Sequence, residues 1–302
     1  MTTSTSRVSN SPDDPPIAAI FLATSASASR NQWHRFRNTS LVSGFILFTA
    51  LLLLIAFYPM ISPWSATQPD FSQPTFAPPS LDHPLGTDNF GRDFLTRIAT
   101  AGRIDLMIAL LATTVTLAVG SALGLISGYF GGWFDSLIMR LVDFTLAIPT
   151  LVLVIAIVAV LGIGTANIIY AVWIVGWVTY TRVVRSETIV ARELEYVDAA
   201  RVNGASHTSI MIRHILPNVM VPAIIFAMAD VVLNILLCSS LSFLGLGVQS
   251  PTPEWGLMVA ESRDFFLKDW KLMTYPGIAI LVFGVAFSLI GDGLAKALRP
   301  KG

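Results

Sequence analysis

Asp143, Asp230 and Asp292 are acidic residues in or at the edge of apolar runs. An ionisable group at membrane depth is costly enough to mark a functional candidate. Asp143 and Asp292 lie toward an interface where water reaches them, whereas Asp230 is deeper and has Asn234 one helical turn on. A water-lined pathway and an interhelical hydrogen bond each account for the Asp230 and Asn234 pair. Other chemistries find no residues to carry them. The four histidines, 34, 83, 207 and 214, are scattered outside the apolar runs and no His-Glu-x-x-His occurs, so no metal ligand set forms. Cys238 is the only cysteine and lies in an apolar run, which makes it packing rather than a disulfide or zinc ligand. No Gly-x-x-x-x-Gly-Lys-Ser/Thr loop occurs and Gly is nowhere followed by Lys, so the chain lacks the usual phosphate cradle. No cofactor is expected.

The elements that must position these residues are set by composition. Of 302 residues, 54% are hydrophobic and 13% charged, too apolar for a soluble domain. A net charge of zero gives no reason to expect a nucleic-acid partner. Spanning a hydrocarbon core takes roughly 20 apolar residues. Six segments qualify, near 41–61, 104–126, 144–163, 166–184, 219–240 and 275–294, which predicts an all-α polytopic membrane protein in contact with membrane lipid.

The segment before the first span contains prolines and a basic run, Arg30, Arg35 and Arg37, without the small-residue cleavage site of a signal peptide, so the first span is expected to be permanent. Residues 1–30 hold too little contiguous apolar surface to fold, and a disordered tail is expected over 1–34. Starting the chain in the cytoplasm places 13 Lys and Arg inside and 6 outside, so both termini and the loop 185–218 are expected to be cytoplasmic. The loops around 62–103 and 247–274 then face outward and hold eight of the nineteen acids, read as a hydrated surface in preference to a cation site.

Gly120, Gly124, Gly128 and Gly132 recur at four-residue spacing, a small face for close helix packing, and Gly131 and Gly132 suit a tight turn. Pro149 and Pro222 are candidate kinks. In Pro251-Thr252-Pro253-Glu254-Trp255-Gly256, Thr252 is the expected cap, Pro253 the first helical residue and Glu254 a dipole partner. Trp255 and Trp270 suit an interfacial belt. His83 to Asn89 reads as a turn and cap opening an amphipathic helix that runs into the second span.

Between the fourth and fifth spans the chain predicts a helix, a turn and a helix. Glu193 and Glu195 favour the positive end of the first, Gly204 suits its C′ position, Ser206 caps the second and Pro217 marks its end. Ala199 and Ala200 offer a small surface on which another protein's groove could pack, although a hairpin that merely joins two spans has the same pattern.

This segment resembles the EAA loop of ATP-binding-cassette importer permeases, with Asp198 standing where the pattern has Glu, followed by Ala199, Ala200, Gly204, Leu216 and Pro217, and with His214 in place of the usual Ile. The match continues in His83-Pro84-Leu85-Gly86-Thr87-Asp88-Asn89, Gly128-Tyr129-Phe130-Gly131-Gly132, Leu241 to Gly247, Pro251 to Gly256 and Gly291-Asp292-Gly293-Leu294. Over roughly 35–300 the chain is similar to the second permease of dipeptide, oligopeptide and nickel importers. The resemblance implies the type I permease fold over 35–302, an inner-membrane location, and no ATPase site of its own. It also implies two cytoplasmic ATPase subunits, a second homologous permease, an extracytoplasmic substrate-binding protein and peptides as cargo, nickel chelates being the alternative. Glu195, Asp198, Ala199, Ala200, Gly204, Leu216 and Pro217 are the expected coupling contact, and Asp230 and Asn234 the candidate pathway. An ion-coupled secondary transporter leaves the EAA-like loop unexplained. An intramembrane aspartyl protease built on Asp143 with Asp230 or Asp292 fails on detail, since Val142 stands where tyrosine is required and Leu289 where glycine is.

Overall fold

The computed structural model describes residues 38–298. The tail expected over 1–34 and His34 lie outside them. Nine helices account for most of the described chain: α1 (Thr39–Ile61), α2 (Phe94–Phe130), α3 (Gly132–Leu146), α4 (Thr150–Leu161), α5 (Thr165–Ala191), α6 (Glu195–Val202), α7 (His207–Phe243), α8 (Trp255–Ser262) and α9 (Lys271–Leu298). No strand is found among the described residues, only an isolated bridge between Thr87 and Asp93.

Five helices, α1, α2, α5, α7 and α9, are long and apolar enough to cross a membrane. The span read at 144–163 is not a straight rod. The chain there is the pair α3 and α4, bent by 90° around Pro149, and it makes a sixth crossing only when the pair is taken together. Proline has no N–H to donate and disfavours helix in the residue before it, so helix stops at Leu146 and restarts at Thr150. Pro222, by contrast, leaves α7 continuous.

The body is organised on α2 and α5. Gly120, Gly124 and Gly128 let the two backbones meet: a Cβ at Gly124 would lie 2.6 Å from the Thr181 carbonyl oxygen, one at Gly128 2.8 Å from that of Arg185, and one at Gly120 would collide with that of Trp177. The Thr181 hydroxyl donates to the Gly120 carbonyl at 3.2 Å across the contact. Gly132 does not belong to this stripe. The chain turns at Gly131 and Gly132, both at positive φ, and the space around Gly132 is empty. α7 packs on α2, α5 and α9, and α1 lies against α9 with most of its surface exposed, as a lipid-facing helix requires.

Candidate functional site: a docking hairpin and a polar point on one helix

The hairpin begins where α5 ends at Ala191, so both arms of the segment read as a loop over 185–218 are extensions of flanking helices, and only 192–206 lie outside them apart from α6. α6 carries Glu195 and Asp198 in its first turn, complementing the dipole, while Glu193 precedes the helix. Its end is a Schellman motif: the Ala205 amide donates to Ala200 at 3.0 Å, the Gly204 amide to Arg201 at 3.0 Å, and Gly204 sits at φ 76°. Ser206 then caps α7 by accepting from the Ser209 amide at 3.3 Å.

Two expectations for the hairpin are corrected. Pro217 does not end the second arm. Residues Ile210–Ile215 widen into a π-helical turn, seen in the Leu216 amide reaching back to Met211, and this wider turn leads into Pro217, after which α7 continues to Phe243. Ala200, expected on the free surface, is instead buried with Val197 against Ile210, Ile215 and Val184, so it anchors the hairpin to the body. The face that remains free carries Glu195, Asp198, Ala199 and Gly204, together with Val202, which is 88% exposed. Asp198 pairs with Arg201 at 2.7 Å, and Arg201 also donates to the Arg192 carbonyl. Arg192 in turn donates to the Gly128 carbonyl at 2.9 Å, closing the end of α2. Leu216 is half-buried and Pro217 exposed.

Farther along α7, Asp230 and Asn234 line a cavity of about 410 Å³ bounded by α3, α4, α5 and α7. The Tyr180 hydroxyl donates to Asp230 Oδ2 at 2.8 Å and the Asn234 amide to the same oxygen at 3.1 Å. Asn234 also donates to Thr113 Oγ1 of α2 at 2.9 Å. The interhelical bonds expected of the pair are present, and they lie on the wall of a cavity. Tyr180 and Thr113 were missed because each reads as an ordinary residue of an apolar span. Asp143 pairs separately with Arg182 at 2.9 Å, and Asp292 is exposed.

At the far end from the hairpin, the loop before α2 and the segment around α8 form a polar core. Asp93 caps α2, accepting from the Thr96 amide at 2.8 Å, and meets His83 Nδ1 at 3.1 Å. Asp88 accepts from Arg92 Nε at 2.7 Å and from Arg97, which also reaches Glu261 at 2.9 Å. Burial and the neighbouring Arg97 charge hold the Arg92 guanidinium below its usual range, with Asp88 offsetting only part of the shift. The reading of these acids as a hydrated surface is therefore corrected for Asp88, Asp93, Glu254 and Asp269, all of them buried. Glu254, not Thr252, caps α8: its carboxylate accepts from the Gly256 and Leu257 amides at 3.0 and 2.8 Å, and from Ser239 of α7 at 2.9 Å. Trp255 is no belt residue. It is 1% exposed in the core and donates its indole N–H to the Ile98 carbonyl at 3.1 Å, while Trp270 is exposed.

Comparison with known proteins gives the same picture along the chain. A family model described as a binding-protein-dependent transport system inner membrane component matches residues 120–301. The chain is 39% identical over 291 residues, 96% of its length and 95% of the other, to the dipeptide transport system permease protein DppC of Alkalihalophilus pseudofirmus. It is 38% identical over 273 residues to the glutathione transport system permease protein GsiD of Pectobacterium atrosepticum, covering 90% of this chain and 91% of that one. To the GsiD protein of Escherichia coli it is 40% identical over 270 residues, 89% of each chain.

Proposed function

Because the chain belongs to the family of binding-protein-dependent transport system inner membrane components, we propose that it is one of two homologous permease subunits of an importer for short peptides, driven by a pair of ATPase subunits at the hairpin end. Membership itself brings a multi-pass inner-membrane location and dependence on ATPase and binding-protein partners. The relatives are permeases for dipeptides and for glutathione, a peptide, which favours peptides over nickel chelates. The hairpin and both termini face the cytoplasm in this reading, supported by the excess of Lys and Arg on that side. The opposite end receives substrate from the binding protein. Without a phosphate loop the chain hydrolyses no ATP itself.

One observation carries the reading. α6 is held from behind by Val197 and Ala200 while its outer face, Asp198, Ala199 and Val202 with Gly204 beyond, is exposed among the described residues, Asp198 pairing with Arg201 of the same helix. Small residues flanked by an acid and an aliphatic tip form a ridge suited to a protein groove. Closure of the ATPases pushes on that ridge, and α5 and α7, joined to its two ends through residues 192–194 and 203–206, rock the spans to alternate access.

Gly204→Val tests the contact. A Cβ there meets no neighbour within 4 Å, so the strain comes from the backbone alone, because φ is 76°. Such strain costs a β-branched residue about 1–3 kcal/mol and reshapes the turn. The variant inserts at wild-type levels, and its peptide uptake and substrate-stimulated ATP hydrolysis fall about tenfold or more. Wild-type transport by a fully assembled variant would overturn the proposal.

A further inference from the structure

The cavity beside Asp230 has a chemistry of its own. Its walls are mostly aliphatic, from Leu146 and Val154 to Leu233 and Leu237, and Asp230 carries the only charge among its described lining residues. About 410 Å³ is within the size range of small-molecule sites, roughly 300–1,000 Å³. Asp230 is held firmly: Tyr180 is fully buried with its ring edge-on to Phe226 at 5.2 Å, and Asn234 is tied to Thr113. Both donors, however, converge on Oδ2. Oδ1 takes part in neither bond. A clamp between helices needs only that single acceptor oxygen, which an amide supplies without the expense of an acid at membrane depth, about 2.5–3.5 kcal/mol. The second oxygen, fixed in orientation on the cavity wall, is what an acid adds.

The geometry points to Asp230 as the counter-charge for an alkylammonium group of the cargo as it passes through this cavity. The aliphatic walls admit the side chains and exclude competing water, while Oδ1 takes the cation as a charge-assisted hydrogen bond. For a short peptide the ammonium is that of the amino terminus or of a lysine side chain, and the two present the same chemistry. The inference rests on the reading of the chain as a peptide permease whose pathway includes the cavity.

The test separates the two. Thr179, half-buried on the cavity wall and next to Tyr180, is replaced by cysteine in the assembled importer in membrane vesicles. Labelling of this chain by a cationic and by an anionic water-soluble thiol reagent is then followed, with the background set by the parent chain, whose one cysteine is the buried Cys238. The cationic reagent reacts about tenfold faster relative to the anionic one than it does with a free thiol. Asp230→Asn abolishes that preference, and Asp230→Glu retains it. Alanyl-alanine slows the labelling, N-acetyl-alanyl-alanine does not, and N-acetyl-lysyl-alanine shows whether a side-chain ammonium suffices. A charge preference unchanged by Asp230→Asn, or equal protection by the acetylated dipeptide, overturns the inference and leaves the pathway standing. A Thr179→Cys chain that no water-soluble reagent reaches overturns the pathway itself.

Discussion

The two ends of the molecule use charged residues in opposite ways. At the loop end, Asp88, Asp93, Arg92, Arg97 and Glu254 are buried and hydrogen-bond to one another, to helix ends and to Ser239. At the hairpin end, Glu195, Asp198 and Arg201 stay at the surface, and the one ion pair among them is exposed on both sides. A charge satisfied inside the chain fixes a shape, whereas a charge left outside is available to a partner. The loop end is accordingly a cap preformed by its own contacts, and under the proposed function the hairpin end is a contact surface completed by another protein.

The comparison breaks most visibly at Asp88. Asp88→Asn leaves two buried guanidinium groups short of their shared acid, and removing one member of a buried pair costs about 3–5 kcal/mol. The solubilised protein melts at a clearly lower temperature and accumulates poorly. A wild-type melting temperature would show that the cap is not held by its charges.

A smaller effect separates the two alanines of the hairpin. Ala200→Leu overpacks the cluster of Val197, Ile210 and Ile215 and costs about 1–3 kcal/mol, read as a fall in melting temperature. Ala199→Leu faces outward, changes stability by no more than about 0.5 kcal/mol, and lowers substrate-stimulated ATP hydrolysis. The same response at both positions would erase the distinction between an anchoring face and a docking face. The smallest change belongs to Asp198→Asn. An exposed pair is worth about 0–1 kcal/mol, so thermal stability stays put and any loss shows up only in ATPase coupling.

What could be read from the sequence follows the range of the interactions. The turn at Gly204 and the cap at Ser206 were legible because capping chemistry is written within four or five residues. All six segments emerged from hydropathy, five of them as single helices, but hydropathy counts apolar residues without giving their direction, so the bend at Pro149 in the remaining one was invisible. Ala200 and Ala199 are identical in type, and only the packing of Ile210 and Ile215 tells them apart. Asp230 announced itself as an acid in an apolar run, whereas Tyr180, which bonds it, lies 50 positions away and Thr113, which bonds Asn234, lies 121 positions from that residue. The outer acids misled for a related reason: a loop rich in Asp and Arg looks hydrated until its members are seen to pair.

The length of α7 has a mechanical consequence. One continuous helix of 37 residues, about 55 Å, widened by a π-helical turn near its start, begins at the hairpin, passes Asp230 and reaches Ser239, where it holds Glu254 of the cap. Under the proposed function it is a lever with its handle at the ATPase side. Each degree of tilt about the handle carries the far tip about 1 Å, so a swing of three degrees displaces the cap by roughly the diameter of a water molecule. In the proposed importer, small angular strokes of this lever are therefore enough to open or seal the entrance.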